Sequence, residues 1–439
     1  MVTRVTATQR STADPRDRQD GLGWVTRAVF GDPRLRLTIG RAGMDGIDDA
    51  GGATTVAFAV VPSLERARFL LPLANRRVAL AATLAYNRLR SPRTRLQRLA
   101  VGAVAALRPD GPPGMPVLRV VAPHGVDPAE VLLTEHLSGL LGGPLHAAIG
   151  IRPPDPHHKP TLQLFDDTGR PRGYAKIGWN DATRAMTRAE ATALHRLAGT
   201  DAADHPVVPG VLATTDWAGR AVTVVRPMPR TVRGVPGAAA PLTGAMLAVA
   251  RRGGSAADER PLAGSAFLAG LADRARRAGG RIEGHVAALA ARHGETAVEF
   301  GDWHGDWVPW NLGRQGGRLF AWDWENSGSD VPVGFDLAHQ AFQTALSLHG
   351  RSAAQAAAHM AAVLDRHGPA LGLGPAQRRL VADAYLVELW LRTAELAAGG
   401  GGWNPRLHPA LLTVLDGAAQ TAPLVPRPRT LADRASLPG

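Results

Sequence analysis

Short apolar runs bounded by turn residues dominate the first part of the chain, and such runs are typical of strands. They lie at residues 54–62, 67–73 and 117–121. Residues 76–107 instead repeat apolar positions at helical spacing, with a break at Pro92. Residues 1–22 are polar and mixed in charge and predict a mobile tail. We therefore expect residues 23–125 to form a small α/β extension whose role the sequence leaves open.

Residues 126–230 predict a sheet with one inserted helix. Asp127 followed by Pro128 is a typical helix start, and Gly-Gly-Pro after Leu141 ends that helix. Residues 183–197 place apolar side chains on one helical face. The predicted strands are residues 145–151, 161–165, 173–178, 207–214 and 220–225. This pattern indicates a five-stranded antiparallel sheet with one helix after the third strand.

Residues 231–421 are rich in Ala, Leu and Arg and predict a mainly helical region. A strand–loop–strand block from Val298 to Trp324 interrupts it. Residues 422–439 are rich in Pro and Arg and predict a loose tail. The later helices are expected at about residues 335–348, 352–367, 376–398 and 407–420.

Composition excludes several classes of protein. There are no cysteines, so a disulfide scaffold and a thiolate metal site are both excluded. We see no signal-peptide core at the N-terminus and no apolar run of membrane-spanning length. We therefore expect a cytoplasmic protein without a membrane span, and the oligomeric state stays open.

The formal net charge of +12 is concentrated in the N-terminal third, around Arg88 to Arg98. A basic run of this size is typical of a solvated surface, and we do not expect a nucleic-acid partner. The cations are 48 Arg and only two Lys, Lys159 and Lys176. Where arginine is the usual cation, a lysine indicates a specific chemical role. A compact ammonium suits contact with phosphate oxygens.

The block from His304 to Glu325 carries the clearest chemistry. Asp306 lies in a loop just after a predicted strand, where a general base is well placed. Asn311 follows five residues later, and Asp323 ends the next strand. Phosphoryl transfer needs this set: one carboxylate to deprotonate a hydroxyl, and an amide oxygen and a carboxylate to hold Mg²⁺. Glu325 is a further metal or substrate contact, or a solvated side chain.

Other residues of this block are expected to support the loop or to meet the acceptor. We expect His304 to bond loop backbone, and Asp336 to cap a helix and brace the loop from below. Trp303 and Trp322 lie in predicted strands and are expected to pack inward. Trp307 and Trp310 lie beside Asp306 and are the candidate acceptor contacts, since aromatic faces stack on sugar rings and on cations.

Lys176 lies within a predicted strand, and Glu190 lies on the helix that follows. A buried strand lysine is costly unless an opposite charge meets it. A glutamate on the next helix is the natural partner. We therefore interpret Lys176 and Glu190 as a pair that orients phosphates.

The chain resembles the aminoglycoside phosphotransferase family of the protein-kinase-like fold. His304, Gly305, Asp306 and Asn311 match its catalytic-loop motif, and Asp323 to Glu325 match its Asp-Trp-Glu metal strand. The resemblance implies a bilobal fold, with an N-lobe over 126–230 and a helical C-lobe over 231–421, preceded by the α/β extension. It also implies ATP or GTP and Mg²⁺ as cofactors. Val224, Arg226 and Met228 fall in its adenine-binding hinge.

One departure keeps an alternative open. The segment Gly139 to Pro144, interpreted as the nucleotide-covering loop, lacks the Gly-x-Gly-x-x-Gly spacing. A catalytically inactive nucleotide- or ligand-binding protein is therefore the second hypothesis. An anion-binding adaptor acting through the basic N-terminal region is the third.

The acceptor is expected to be a small molecule with a hydroxyl. Residues 231–439 contain 20 Arg against 18 Asp and Glu. This weakly positive region does not favour a polycationic aminoglycoside. We expect a sugar or a polyol-type metabolite.

Overall fold

The computed structural model describes residues 14–41, 54–84, 96, 115–153, 155, 157–200, 204–237, 239–252 and 259–420. Strands dominate up to Val225, and helices dominate after it. The strands are β1 (Arg36–Arg41), β2 (Thr55–Val61), β3 (Phe69–Pro72), β4 (Pro116–Val121), β5 (His146–Gly150), β6 (Thr161–Phe165), β7 (Pro171–Gly178), β8 (Val211–Trp217), β9 (Arg220–Val225), β10 (Arg233–Gly234), β11 (Arg260–Pro261), β12 (Ala297–Val298), β13 (Phe300–Trp303), β14 (Leu312–Gln315), β15 (Arg318–Ala321) and β16 (Gly328–Pro332). The α-helices are α1 (Gly21–Phe30), α2 (Arg76–Leu84), α3 (Pro128–Val131), α4 (Leu133–Leu141), α5 (Asp181–Leu197), α6 (Thr243–Ala250), α7 (Ala266–Ala278), α8 (Arg281–His293), α9 (Phe335–Gln343), α10 (Ala353–His367), α11 (Pro375–Leu396) and α12 (Ala410–Gln420).

A single antiparallel sheet runs through the strand-rich half. Its strand order is β1-β4-β2-β3-β5-β6-β7-β9-β8. The five predicted strands, β5 to β9, all form, and they lie side by side at one end. The predicted count of five is nevertheless wrong, because β3 pairs with β5 through Phe69 with Gly150 and Leu70 with Ile149. The N-terminal extension therefore continues the same sheet instead of building a sheet of its own. Edge pairing between two chain segments is invisible to local sequence patterns.

The predicted N-terminal tail is too long. Residues 1–13 lie outside the described residues, but Asp14 to Asp20 form capped turns that lead into α1. The Asp20 side chain accepts a hydrogen bond from Gly23 N–H at the start of this helix. Leu22 is fully buried, and burial of a leucine side chain contributes about 1.5–3 kcal/mol to folding. The end of the predicted tail is thus part of the folded core.

Helices cover both faces of the sheet. Side chains alternate between the faces along each strand. One face packs Phe58, Leu164 and Val224 together with α1 and α4 in a single apolar cluster. The opposite face packs Ala59, Leu71 and Phe165 against α2. The amphipathic helix α5 begins at a capping box formed by Asn180 and Thr183, and it packs on β7 and β9 on the side that holds Lys176.

The helical half contains the largest apolar cluster, which α7 to α12 share with the end of α5. The predicted helices after residue 335 all form, as α9 to α12, with ends shifted by a few residues. Short strands cross this half and carry the loop of interest. β13 pairs with β16, and β14 forms a hairpin with β15.

Two predicted features fall wholly or mostly outside the described residues. They are the basic run around Arg88 to Arg98 and the loose tail over 422–439. Within the part of the chain that the structure describes, no helix is long and apolar enough to cross a membrane.

Candidate active site

The loop after β13 is fixed by its backbone contacts. Gly305 has a φ of +79°, and a Cβ there would lie 1.9 Å from the carbonyl oxygen of Asn326, so only glycine fits. Asp336 accepts the backbone N–H of His304 at 2.9 Å and of Gly305 at 3.1 Å. Arg392 donates to the Gly305 carbonyl at 2.8 Å. The predicted brace by Asp336 is therefore present. Its predicted capping role is wrong, because Gly334 is the N-cap of α9.

Asp306 projects from this loop with both carboxylate oxygens bonded. Asn311 Nδ2 donates to Oδ2 at 2.8 Å, and His339 Nε2 bonds Oδ1 at 2.9 Å. Burial alone would raise the pKa of Asp306, but the hydrogen bond from His339 outweighs it and lowers that pKa below its ordinary value. The side chain keeps 30% of its surface exposed. Asp306 is thus ionised near neutral pH and reachable from solvent.

His304 holds the loop as predicted, and both ring nitrogens are engaged. Nε2 lies 3.0 Å from the carbonyl oxygen of Trp322, and Nδ1 lies 3.1 Å from the backbone nitrogen of Asp306. The neutral ring satisfies both contacts, with Nε2–H as donor and Nδ1 as acceptor. Burial lowers the pKa of His304 to about 4. The ring therefore ties the loop of Asp306 to the strand that leads to Asp323.

His339 is a residue that sequence reasoning missed. It lies on α9 one turn after Asp336, so both side chains point to the loop of Asp306. The Tyr385 hydroxyl lies 3.0 Å from His339 Nδ1 and donates to it, which leaves Nε2–H free to donate to Asp306. Burial lowers the pKa of His339 and keeps the ring neutral. The helical spacing from Asp336 was the only sequence signal for it.

Lys176 lies between two carboxylates. Its Nζ is 2.5 Å from Glu190 Oε1 and also bonds Asp323 Oδ1. Burial alone would lower the pKa of Lys176, but Asp323 and Glu190 raise it above its ordinary value. Asp323 reaches this position through a left-handed backbone with φ of +65° after β15. The structure thus pairs Lys176 with Glu190, as the sequence suggested, and adds Asp323.

Lys159 lies in the same cluster, so the two lysines of the chain are close together. Its Nζ bonds Glu325 Oε2 and lies 3.8 Å from Glu190 Oε2. Its side chain is only 7% exposed. Lysine is rare in this chain, but a role was predicted only for Lys176. The same rarity was the signal that could have identified Lys159.

Oxygen ligands for a divalent cation converge here. Carboxylate oxygens of Glu190, Asp323 and Glu325 lie within 4.8 Å of one another. Glu190 Oε2 is buried and has no hydrogen-bond partner in the described part of the structure. Oxygen donors of this kind suit Mg²⁺. Asn311 instead holds Asp306, and its predicted metal contact stays a prediction.

The predicted hinge residues Val224, Arg226 and Met228 differ in their burial. The Val224 side chain is fully buried on the face of the sheet away from Lys176. Strand alternation turns Val225 and Tyr174 to the other face instead. Val224 still has its backbone groups, so its predicted nucleotide contact stays a prediction. Arg226 follows β9 and is exposed, while Met228 is half-buried. A nucleotide contact of these two residues stays a prediction.

The candidate acceptor residues Trp307, Trp310 and Glu325 differ in exposure and in surroundings. Trp307 is fully buried, against the ring of His304 at 5.8 Å, so its predicted acceptor contact is wrong. Trp310 is 45% exposed and adjoins Asn311, which keeps it available. Glu325 faces Lys159 in the carboxylate cluster, which favours the metal or phosphate side over the acceptor side.

The glycine-containing segment Gly139 to Pro144 is a helix end. Gly142, with φ of +73°, is the left-handed cap of α4. The loop that reaches the carboxylates is residues 151–160, between β5 and β6, because it carries Lys159.

Comparison with solved structures finds small-molecule kinases of the protein-kinase-like fold. An aminoglycoside phosphotransferase APH(4)-Ia in complex with ADP and hygromycin B is 13% identical over 66% of this chain and 98% of that one, with a TM-score of 0.43. Choline kinase LicA from Streptococcus pneumoniae is 12% identical over 59% and 89%, with a TM-score of 0.42. A choline/ethanolamine kinase family protein from Mesorhizobium loti is 18% identical over 64% and 90%, with a TM-score of 0.34. No protein family model and no curated protein sequence matches the chain. At such identities and TM-scores, the matches assign no residue and no acceptor to this chain.

Proposed function

We propose that this protein is a Mg²⁺- and ATP- or GTP-dependent phosphotransferase that phosphorylates a hydroxyl of a small molecule. One observation carries the proposal: Lys176 bonds Asp323, and the His304 ring contacts both the backbone nitrogen of Asp306 and the carbonyl oxygen of Trp322, the residue before Asp323. A cation for phosphates, oxygen ligands for a metal and an ionised base therefore meet in one place. Phosphoryl transfer depends on this kind of positioning and charge stabilisation.

Asp306 is the general base in this proposal. Its carboxylate accepts the proton of the acceptor hydroxyl while that oxygen forms a bond to phosphorus and the bond to the leaving nucleoside diphosphate breaks. The hydrogen bonds from Asn311 and His339 fix the direction in which the carboxylate faces. Because both donors are neutral, they orient the base without adding a charge that would compete for phosphate.

Lys176 and the carboxylate cluster hold the nucleotide end. Lys176 is fixed by Glu190, so its ammonium faces the space beside Asp323 without searching many rotamers. Asp323, with Glu325 or Asn311, would hold Mg²⁺, which when bound neutralises charge on the phosphates. Buried carboxylates need a positive charge nearby, and in this structure Lys159 and Lys176 supply it.

The acceptor we propose is a sugar or a polyol-type metabolite. Trp310 offers an exposed ring one residue from Asn311, and such rings stack on sugar faces. The weak positive balance of residues 231–439 does not attract polycations.

An acceptor panel tests the proposal. The purified chain is given ATP-Mg or GTP-Mg with sugars, polyols, choline and aminoglycosides in turn, and formation of nucleoside diphosphate is measured. We expect turnover with a sugar or polyol that disappears in Asp306→Asn. Turnover with aminoglycosides alone would overturn the acceptor class. Nucleotide binding without transfer to any acceptor would favour the inactive binding protein.

A further inference from the structure

The loop between β5 and β6 has a composition that disfavours the usual way of cradling phosphate. Residues 151–160 read Ile-Arg-Pro-Pro-Asp-Pro-His-His-Lys-Pro, with four prolines and no glycine. Proline has no backbone N–H. Loops that cradle phosphate do so with successive backbone N–H groups, brought close by glycine. This loop therefore needs another donor if it is to bind phosphate.

Lys159 is the donor that the loop brings to the cluster. Its buried ammonium bonds Glu325 and lies 3.8 Å from the unpartnered Oε2 of Glu190. Glu190 does not depend on Lys159 for charge balance, because Lys176 already bonds its other oxygen. A second buried cation costs desolvation. The flexible Lys159 side chain, whose ammonium has three donors, therefore lies next to the carboxylates of Glu190 and Glu325.

Contacts at Arg152 and at His158 hold two points of the loop that precedes Lys159. Trp179 Nε1 donates to the His158 carbonyl at 3.0 Å, and the Trp179 ring meets Trp24 of α1 edge-on at 5.1 Å. At the other end of the loop, a Cβ on Gly21 would lie 2.0 Å from the Arg152 carbonyl oxygen, so α1 lies directly against the loop backbone. The N-terminal extension therefore helps to hold the loop over the cluster.

We propose that Lys159 binds the terminal phosphates of the nucleotide, in place of the backbone N–H groups of a glycine-rich loop. This inference rests on the proposed function and names a second phosphate-binding residue beside Lys176. With nucleotide and metal bound, the Lys159 ammonium would bond phosphate oxygens in place of Glu325, and the Glu325 carboxylate would be available to hold the metal. Without nucleotide, Lys159 occupies the position that neutralises Glu325 and so opposes binding of the metal alone.

The test compares Lys159→Met with Arg152→Gln, a charge-removing control at an exposed position of the same loop. Affinities for ATP-Mg, GTP-Mg and adenosine are measured by calorimetry, and Mn²⁺ binding is measured without nucleotide. We expect Lys159→Met to weaken nucleoside triphosphate binding by about tenfold or more and to leave adenosine binding unchanged. We also expect it to strengthen binding of Mn²⁺ alone several-fold, since Glu325 loses its counterion. Arg152→Gln is expected to change neither.

Each other outcome overturns the inference. Unchanged triphosphate affinity in Lys159→Met would show that the ammonium does not reach phosphate. Equal losses for adenosine and ATP would show a role in loop shape alone. Lys159→Gln, which is one atom shorter and keeps two donors, repeats the measurement if Lys159→Met unfolds at a lower temperature than the unaltered protein. Failure of the unaltered protein to bind ATP or GTP would instead overturn the proposed function itself, so the two failures are distinguishable.

Discussion

The two sides of the candidate site are built in opposite ways. On the acceptor side, Asp306 is held by neutral donors, the Asn311 amide and the His339 imidazole. On the nucleotide side, three carboxylates meet two lysines. A neutral network keeps its geometry whether or not a ligand is present. A cluster of charges must exchange partners when phosphates and a metal arrive, because each charge needs an opposite one at all times. The neutral side is therefore prearranged, whereas the charged side, with three carboxylates and two lysines, has to change partners when a ligand binds.

Removing the base should break the acceptor side completely. We expect Asp306→Asn to lower kcat by about 10²–10⁴-fold with little change in nucleotide affinity, since general-base catalysis contributes about that factor. Measurement of kcat and of ATP affinity separates the two effects. Asp365→Asn, at an exposed position on α10, is the matched control. A parallel loss of ATP affinity would show that the two sides are not independent.

Removing the central cation should break the nucleotide side and also destabilise the fold. Lys176→Met leaves Glu190 and Asp323 without this partner, and we expect a loss of about 3–5 kcal/mol in the free energy of unfolding. Chemical denaturation measures it. Arg188→Met, which breaks the exposed pair with Asp216, should cost less than about 1 kcal/mol. Similar losses in the two variants would contradict the claim that the buried carboxylates depend on the charge of Lys176.

The His304 contacts that hold the loop of Asp306 should make folding stability sensitive to acid. The pKa of His304 is lowered from 6.5 to about 4 in the folded state, so the unfolded chain binds more protons between these values. Stability from this group is therefore complete above pH 6.5 and is lost as pH falls toward 4, by about 2 kcal/mol near pH 5. Denaturation curves across this range test it. The slope should flatten in His304→Ala and stay unchanged in His124→Gln, at an exposed position; an unchanged slope in His304→Ala would contradict the assignment.

The smallest expected effect concerns orientation of the base. His339→Gln should lower kcat by about tenfold, because one of the two donors that orient Asp306 is altered, while KM for nucleotide is kept. Its pH–rate profile should also shift, since His339 lowers the pKa of Asp306. His293→Gln is the control, as His293 is a buried histidine bonded to Asp383 at 2.9 Å, away from the site. Equal kcat values in the two variants would remove His339 from the positioning of the base.

Local patterns predicted the elements well where one segment decides its own structure. Strands β5 to β9, helix α5 and helices α9 to α12 follow from apolar periodicity and turn residues. The offsets of Asp306, Asn311 and Asp323 indicated a site, because the spacing lies within one strand–loop–strand unit. The errors lie where distant segments meet. Trp307 is core because it packs into the apolar cluster that helices far along the chain share, and the sheet exceeds five strands because β3 pairs with β5.

The sequence by itself determined the chemistry that is present: one candidate base, its amide partner, a metal-type carboxylate, and two lysines among 48 arginines. Tertiary structure alone decided how these groups are combined. It joined the N-terminal strands to the sheet, placed His339 and Tyr385 behind Asp306, and brought Lys159 to Glu325. The physical reason is that backbone propensity acts over a few residues, whereas edge pairing and charge balance depend on residues far apart in the chain. The pair Lys159–Glu325, 166 positions apart, is the clearest case.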